Sequence, residues 1–475
     1  MMDIFYILLT VVAVGLCFKG PRLGIAALAF ILPISERLPG PPIPLLNSQN
    51  LVVLIALAVL LAKRKEPGSA GGVRFAIPLV AFVLLVTMGF ANTMLFFAPV
   101  RFYVLWKPYE VMILYKNLVT CLLIYAIGGL VARSREDIET VFKGLMLGVA
   151  FEGAFICMEV VTKGPMRANG HLGEGNNAGA YLAGAVATAL AAFLMLGWKH
   201  RAGLFGLGSA LVAGVGLVFT LSRGSWLAGI IACGAIALLR DRRMLILIVL
   251  IVVSYQVWLP DKAMDRIDES FSSAAEEPWQ WRSNEGSDEA EALAGFQSGL
   301  LGGGAEGEDG SSEARLDGSS QIRLYVWNAA LRMLEANPLG VGYGVFPFFI
   351  GNYSTVIKFR AAHNSYLQIA CELGIPGILM FLTFLVCVLY ESLMVFLKQE
   401  EPFMRALGLA AFGAGIAMMV SAFFYNHFFL IDVNGQQWLL LGLATQVRRL
   451  KQPATTAPVV SPASVEVVPL YRMVK

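Results

Sequence analysis

A helix that crosses about 30 Å of hydrocarbon needs roughly 20 predominantly apolar residues, with about 17–25 usual. Thirteen stretches of this chain meet or approach that length: 3–18, 23–34, 50–62, 75–97, 111–132, 138–161, 177–197, 202–221, 225–239, 243–259, 366–397, 403–424 and 428–446. The runs are continuous, whereas the strands of an outer-membrane barrel alternate apolar with polar residues, so they read as helices. The stretch 23–34 is short enough to be half of a re-entrant hairpin, which makes the expectation twelve or thirteen transmembrane helices. Apolar types make up 57% of the chain and charged types 15%, against roughly 45–50% and about 25% in an average soluble domain. A water-soluble body of 475 residues has no interior for that excess. A soluble enzyme, a disordered protein and a collagen-like chain are therefore excluded, and the fold class is an all-α integral membrane protein.

Charge is divided unevenly along the chain. Residues 260–364 hold 16 of the 33 acids and 8 of the 36 bases. That marks one large segment outside the bilayer and leaves the other bases at helix ends. Orientation follows from the basic residues of the short connections. One alternating set includes Lys19, Arg22, Lys63, Arg64, Lys65, Arg74, Arg133, Arg135, Arg240, Arg448 and Arg449, and holds eighteen Lys and Arg in all; the other set holds six. The richer set is placed in the cytoplasm, with the segment 260–364 on the opposite side and the C-terminus cytoplasmic. The chain then divides into an N-terminal transmembrane bundle over 1–259, the large loop 260–364, C-terminal transmembrane helices over 365–447 and a tail, 448–475, that reads as disordered.

Within the loop, residues 268–317 carry 13 acids, 2 bases and many glycines and read as flexible. Residues 319–337 differ. Ser319 or Ser320 can cap a helix on which Ile322, Val326, Ala329 and Met333 recur at three- and four-residue spacing, and Asn337-Pro338 stops it. The expectation is an amphipathic helix lying on the outer membrane surface, followed by interfacial anchoring through Tyr343, Phe346, Phe348 and Phe349. The six cysteines all fall in or at the edge of apolar runs and read as small packing residues. The first run lacks a basic start and a small-residue cleavage site, so no cleavable signal is expected.

A charged side chain at bilayer depth is costly and needs a partner or a purpose. On the outer side stand Lys116, Arg167, Arg223 in the turn Ser222-Arg223-Gly224-Ser225, Arg323 at the start of the amphipathic helix, and Arg360 and His363 just before the span 366–397, with Glu372 about a turn inside it. Cations converging on one face suit an anionic ligand, above all a lipid phosphate or diphosphate, because guanidinium pairs with phosphate oxygens in a fork. His363 adds a group that exchanges protons near neutral pH. Glu372 could orient it or pair with an arginine. Each also has a plain structural reading: headgroup contact for Arg223 and Lys116, a solvated loop charge for Arg167 and Arg323, an interfacial anchor for Arg360, helix pairing for Glu372. His171 and His427 read as ordinary loop histidines, and Glu152 and Glu159, seven apart on one helix face, as structural pairing. No nucleotide, dinucleotide or metal signature occurs, so no cofactor and no metal are expected.

The stretch from Ala362-His363-Asn364 through Glu372-Leu373-Gly374-Ile375-Pro376-Gly377 resembles the His-Asn and Glu-x-Gly signature of the O-antigen ligase and polymerase family. Arg323, Trp327 and the run Asn337-Pro338-Leu339-Gly340-Val341-Gly342-Tyr343-Gly344 look like that family's Arg, Trp and Pro-Leu-x-Gly-x-Gly loop. Ser222-Arg223-Gly224 is similar to its Ser/Thr-Arg turn, and Asn176-Asn177-Ala178 to the start of its middle helix. The resemblance covers about 167–385; the acidic stretch 268–317 belongs to none of its motifs. It implies an inner-membrane, metal-independent, inverting transferase that moves a glycan from undecaprenyl diphosphate to an acceptor on the periplasmic side. The acceptor is lipid A core for a ligase, a second lipid-linked repeat for a polymerase, or a protein. His363 then matches the essential histidine. Arg223 and Arg323 match the diphosphate-holding arginines, and Arg360 matches more weakly. Glu372 matches the family glutamate, and Lys116 and Arg167 are supporting candidates. Partners are the lipid-linked donor, the acceptor and membrane lipids, with no nucleic acid. A lipid-linked sugar transporter, which predicts an internal repeat, and an assembly scaffold are the competing classes.

Overall fold

The computed structural model describes residues 2–38, 46–62, 73–96, 108–164, 167–272, 318–354 and 360–450. Most of the acidic stretch 268–317 and the tail beyond residue 450 therefore lie outside the described residues; residues 268–272 belong to the helix Asp261–Ser272. The described residues are largely helical, and each of the thirteen apolar runs falls on helix, from Met2–Lys19 to Ile431–Val447. Eight helices are long and apolar enough to cross a membrane by length and composition: Ala76–Phe96, Pro108–Val131, Arg135–Lys163, Gly175–Leu196, Arg201–Phe219, Arg223–Arg240, Ser365–Lys398 and Pro402–Ser421. The others, among them Pro21–Ile31 and Arg243–Val253, are shorter. The run 243–259 is interrupted at Ser254, with Tyr255–Trp258 beyond it.

Local chemistry sets the helix ends. Ser134 caps Arg135–Lys163 in a reciprocal box with Asp137, which satisfies two otherwise orphaned amides. Pro402 opens Pro402–Ser421 at a position where its missing N–H costs nothing. The core is formed by Gly175–Leu196, Pro402–Ser421 and Ile431–Val447, whose side chains are largely buried. Small residues let these helices approach closely. A Cβ on Gly442 would stand 2.1 Å from the Tyr125 carbonyl oxygen, so Ile431–Val447 and Pro108–Val131 touch backbone to backbone there.

Connections meet within the two sets that the basic residues define. In the basic set, Arg22 pairs with Glu136 at 2.7 Å and Arg135 with Glu401 at 2.9 Å. In the same set the buried Glu391 takes Arg74 at 2.7 Å and Arg448 at 3.1 Å. In the other set, the loop before Gly175–Leu196 bonds the end of Arg201–Phe219 through Ala168 N–H to the Phe219 carbonyl.

The helix Ser365–Lys398 is broken. Gly374 adopts φ +70°, ψ −175°, and Pro376 follows. The break is fully accounted for in hydrogen bonds. The Ile375 amide, which would have bonded the Cys371 carbonyl, donates to Pro338 instead, and Pro376 has no N–H for Glu372. The freed carbonyls of Cys371 and Glu372 accept from the amides of Val341 and Gly342 at 3.0 Å each. Irregular backbone at membrane depth is tolerated when protein groups replace the lost bonds in this way. Close approach demands glycine on both sides: a Cβ on Gly340 would lie 2.5 Å from the Glu372 carbonyl oxygen, and one on Gly374 2.4 Å from the Leu339 carbonyl carbon.

The amphipathic helix is present as Gly318–Ala336, but its expected placement needs correction. Val326, Ala329, Ala330 and Met333 are buried against Phe346, Ile350, Ala362 and Cys371, so the apolar face packs on the protein and not on a membrane surface. Tyr343 and Phe346 are buried as well, in place of interfacial anchoring. The large apolar side chains left exposed on this helix are Leu324, Tyr325 and Leu331, beside the exposed Arg332 and Glu335.

Candidate functional site

Three segments far apart in sequence meet at the turn that follows Pro402–Ser421. Its centre is Tyr425. The Tyr425 hydroxyl lies 3.0 Å from Ser222 Oγ, which is itself 2.8 Å from Ser225 Oγ. The guanidinium carbon of Arg323 sits 5.5 Å from the centroid of the Tyr425 ring, a cation–π distance. Ser365 donates from Oγ to the Tyr425 carbonyl at 2.7 Å and from its amide to the Ala422 carbonyl at 2.9 Å. One tyrosine thus joins the Ser222-Arg223 turn, the start of the outer helix and the segment that carries His363.

His363 is fixed on both sides. The indole of Trp327, one helical turn after Arg323, donates to the Ala362 carbonyl at 2.9 Å. Residues four apart share a helix face, so the residue that pins the backbone beside His363 and a cation that acts on it come from one stripe. Asn364 caps Ser365–Lys398 by accepting the amides of Tyr366 and Leu367 at 3.0 and 3.1 Å. Between these anchors His363 takes φ +46°. Leu221, at the Ser222-Arg223 turn, takes φ +51°. Backbone held in this region by its surroundings is typical of functional sites.

The electrostatics around His363 are cationic. Burial pushes its pKa below the ordinary 6.5; Arg323 and then Arg360 push it further down, and Glu174 opposes them. The imidazole is thereby kept neutral near pH 7, able to take up a proton. Glu174 was not singled out from the sequence. Its only signal there is its place two residues before Asn176. Asn176 donates to Glu174 at 2.8 Å and accepts from Arg167, whose Nε reaches the Thr220 carbonyl at 3.3 Å. Arg167 therefore braces the Ser222-Arg223 turn against the 174–176 segment. Arg223 is half-buried, and one of its terminal N–H groups donates to the Arg266 carbonyl at 3.3 Å.

Other sequence candidates are elsewhere. Glu372 accepts from the Phe346 amide at 3.3 Å, from the Gly344 amide and from Gln368 at 3.2 Å. Its partners are the glycine-rich loop, not His363. Lys116 is half-buried on Pro108–Val131 and no hydrogen bond or ion pair among the described residues ties it to the Tyr425 cluster. His171 is buried, 2.6 Å from Glu152 through Nδ1 and 3.0 Å from the Tyr6 hydroxyl through Nε2. Glu159 accepts from the amides of Asn169 and Gly170. Glu152 and Glu159 thus secure the 169–171 segment instead of pairing across helices. His427 is buried one residue past Asn426, its ring 5.3 Å from that of Tyr425.

Chemically, the cluster offers guanidiniums that can bond an anion in a fork, beside an imidazole able to accept a proton. A search among curated proteins finds no match to the chain. Residues 207–382 match the family model described as O-antigen ligase. That match runs from the helix before Ser222-Arg223 through the broken helix, taking in Arg223, Arg323, Arg360, His363 and Glu372. Over that span, which is under half of the chain, the sequence is similar to the O-antigen ligase family.

Proposed function

We propose that this protein transfers a glycan from undecaprenyl diphosphate to an acceptor on the periplasmic face of the bacterial inner membrane, as an O-antigen ligase. The observation that carries the reading is the shared seat on Tyr425. Arg323 stacks on its ring, the Arg223 turn bonds its hydroxyl, and the segment bearing His363 bonds its backbone. In this reading Arg223 and Arg323, with Arg360 beside them, hold the diphosphate and stabilise the charge that grows as it leaves the anomeric carbon. His363 takes the proton of the acceptor hydroxyl. The acceptor oxygen attacks opposite the leaving diphosphate, which inverts the anomeric centre. The bond formed is from acceptor oxygen to anomeric carbon; the bond broken is from that carbon to the diphosphate oxygen. Arginine supplies the positive charge of this step, so no divalent cation is assigned to it. The acidic loop and the site lie on the periplasmic side, opposite the connections rich in Lys and Arg.

The test is transfer by purified protein in detergent or nanodiscs, with lipid-linked glycan, a chelator, and lipid A core or a second lipid-linked repeat as acceptor. Release of undecaprenyl diphosphate with a glycosylated lipid A core is the expected result, and His363→Ala abolishes it while the protein stays folded. Near-normal turnover by that variant overturns the role of His363. Product only on the lipid-linked repeat replaces ligase by polymerase, and a strict need for added divalent metal overturns the metal-free step.

A further inference from the structure

Two connections meet at the ends of the helices that lie farthest from Tyr425. Gly175–Leu196 and Arg223–Arg240 both begin beside the Tyr425 cluster, near Asn176 and at Arg223, and both end on the opposite, basic face. There the Arg240 Nε donates to the Leu194 carbonyl at 3.3 Å, which ties the two connections together. Lys199, Arg201, Arg240, Arg242 and Arg243 stand exposed around this bond. Among the described residues none of the five has a carboxylate partner. The one acid between them, Asp241, accepts the Arg243 amide at 3.0 Å. On the same face Arg22 is matched by Glu136, and Arg74 and Arg448 are matched by Glu391. Like charges gathered in two bonded connections repel unless an anion lies among them.

The helix that starts at Arg243 is uncovered. None of the side chains of Arg243–Val253 is buried, and Ile246, Val249, Leu250 and Val253 are exposed, although the helix leans on Arg223–Arg240. A helix that is apolar all round belongs in a protein core or in hydrocarbon, and among the described residues no core encloses this one. Trp198, 66% exposed, stands next to Lys199, and tryptophan favours the boundary between hydrocarbon and water. Unmatched positive charge and bare apolar surface therefore adjoin at one helix end. A free phosphate would match the cations and leave the helix bare. A lipid without net charge would cover the helix and leave the cations unmatched. A phospholipid of net negative charge does both, because its phosphate oxygens take charge-assisted bonds from guanidinium while its acyl chains lie along the helix.

We infer that an anionic phospholipid seats at this corner, its phosphate held by the arginines of the two connections and its acyl chains covering Arg243–Val253. The site is separate from the proposed transfer chemistry, and its test needs no glycan.

Purified full-length protein in neutral detergent is titrated with phosphatidylglycerol, cardiolipin, phosphatidylethanolamine and glycerol 3-phosphate. Bound lipid is counted by native mass spectrometry, and stabilisation is read as a thermal shift. Phosphatidylglycerol and cardiolipin are expected to bind and to raise the unfolding midpoint, ahead of phosphatidylethanolamine and glycerol 3-phosphate. Arg201 and Arg243 make no side-chain hydrogen bond among the described residues, so Arg201→Gln/Arg243→Gln leaves the fold in place. This double variant is expected to bind phosphatidylglycerol about twenty-fivefold more weakly, about fivefold for each cation removed. Lys19→Gln/Lys398→Gln removes as much charge from other connections of the same face and should stay within about twofold of wild type. Equal binding by wild type and the arginine double variant overturns the inference. So does an equal loss in the lysine variant, which would make the attraction a property of the whole face. Glycerol 3-phosphate that binds as tightly as phosphatidylglycerol also overturns it, since the acyl chains would then contribute nothing.

Discussion

Arg323 lies over the ring of Tyr425, its guanidinium carbon 5.5 Å from the centroid, and Tyr425 carries on its far end the bond to Ser222. The ring and the hydroxyl therefore do separable jobs. Tyr425→Phe keeps the surface under Arg323 and releases Ser222, a loss of about 1 kcal/mol and about fivefold in transfer. Tyr425→Ala removes both and opens a cavity, with about 3–5 kcal/mol less stability and at least hundredfold slower transfer. Initial rates and unfolding midpoints on the two variants decide this; equal effects of Phe and Ala would show that the ring contributes nothing.

The pH dependence of transfer follows from the groups that face His363. In the proposed mechanism His363 is the base, and an imidazole takes up a proton only when neutral. Burial, Arg323 and Arg360 depress its pKa below 6.5 and Glu174 raises it. Activity is therefore full at pH 7 and is lost as pH falls through the depressed value, below the ordinary imidazole range. Removing a cation weakens the depression, so in Arg360→Gln the acid limb moves to higher pH. Removing the opposing carboxylate in Glu174→Gln moves it to lower pH. Profiles of kcat/KM between pH 4.5 and 8 for the three proteins read these displacements. Limbs that coincide would detach His363 from the titration.

Trp327 is a positioning residue for His363. Its indole N–H holds the Ala362 carbonyl at 2.9 Å, while Arg323 keeps its own seat over the Tyr425 ring when Trp327 is altered. Trp327→Phe keeps most of the packing and drops this bond. Transfer is expected to slow about tenfold in kcat, with little change in donor KM, because geometry at the reacting group is lost while the arginines proposed to hold the diphosphate stay in place. A rise in KM alone would place Trp327 in binding instead.

How much of this was legible beforehand differs by length scale. The helices were, because hydrocarbon demands unbroken apolar runs, and runs such as 403–424 and 366–397 have no other use. The candidate cations and the histidine stand out too, since such groups beside apolar runs are conspicuous, whereas Glu174 and Tyr425 do not. The assembly of these residues was not legible. Nothing in the local sequence says that Tyr425 receives Ser222, Arg323 and Ser365, which lie 203, 102 and 60 residues away. The break at Gly374 was hidden inside an apolar run, and with it the work of Glu372, whose carboxylate answers loop amides that exist as a group only after that loop has docked. The amphipathic stripe of Gly318–Ala336 was seen, but periodicity does not say whether lipid or protein covers it; Ala362 and Cys371 do.

The docked loop makes a prediction about folding rather than chemistry. Gly374 stands at φ +70° against the Leu339 backbone. Gly374→Ala adds both the strain of a φ-positive, extended backbone that only glycine adopts readily, roughly 1–3 kcal/mol, and a clash with main-chain atoms that cannot move aside, so the carbonyls of Cys371 and Glu372 lose their partners. The expected outcome is a loss of more than about 3 kcal/mol and faster proteolysis of the 337–346 segment, measured by limited digestion in detergent. Wild-type resistance in this variant would mean that the helix break is not held by the loop.

On the opposite face, Glu391 is buried and accepts from both Arg74 and Arg448. The two arginines are part-exposed, so in Glu391→Gln their charges turn to water and the amide keeps one acceptor. The loss should be about 1–3 kcal/mol, below that for a pair sealed on both sides. Arg74→Ala leaves Glu391 with Arg448 and costs less. Because this clamp joins connections remote from Tyr425, neither variant should alter the pH profile or the donor KM of folded protein. A unfolding midpoint lowered in the order Glu391→Gln below Arg74→Ala below wild type, with unchanged kinetics, is the expected result; altered kinetics at full folding would couple the two faces of the membrane domain.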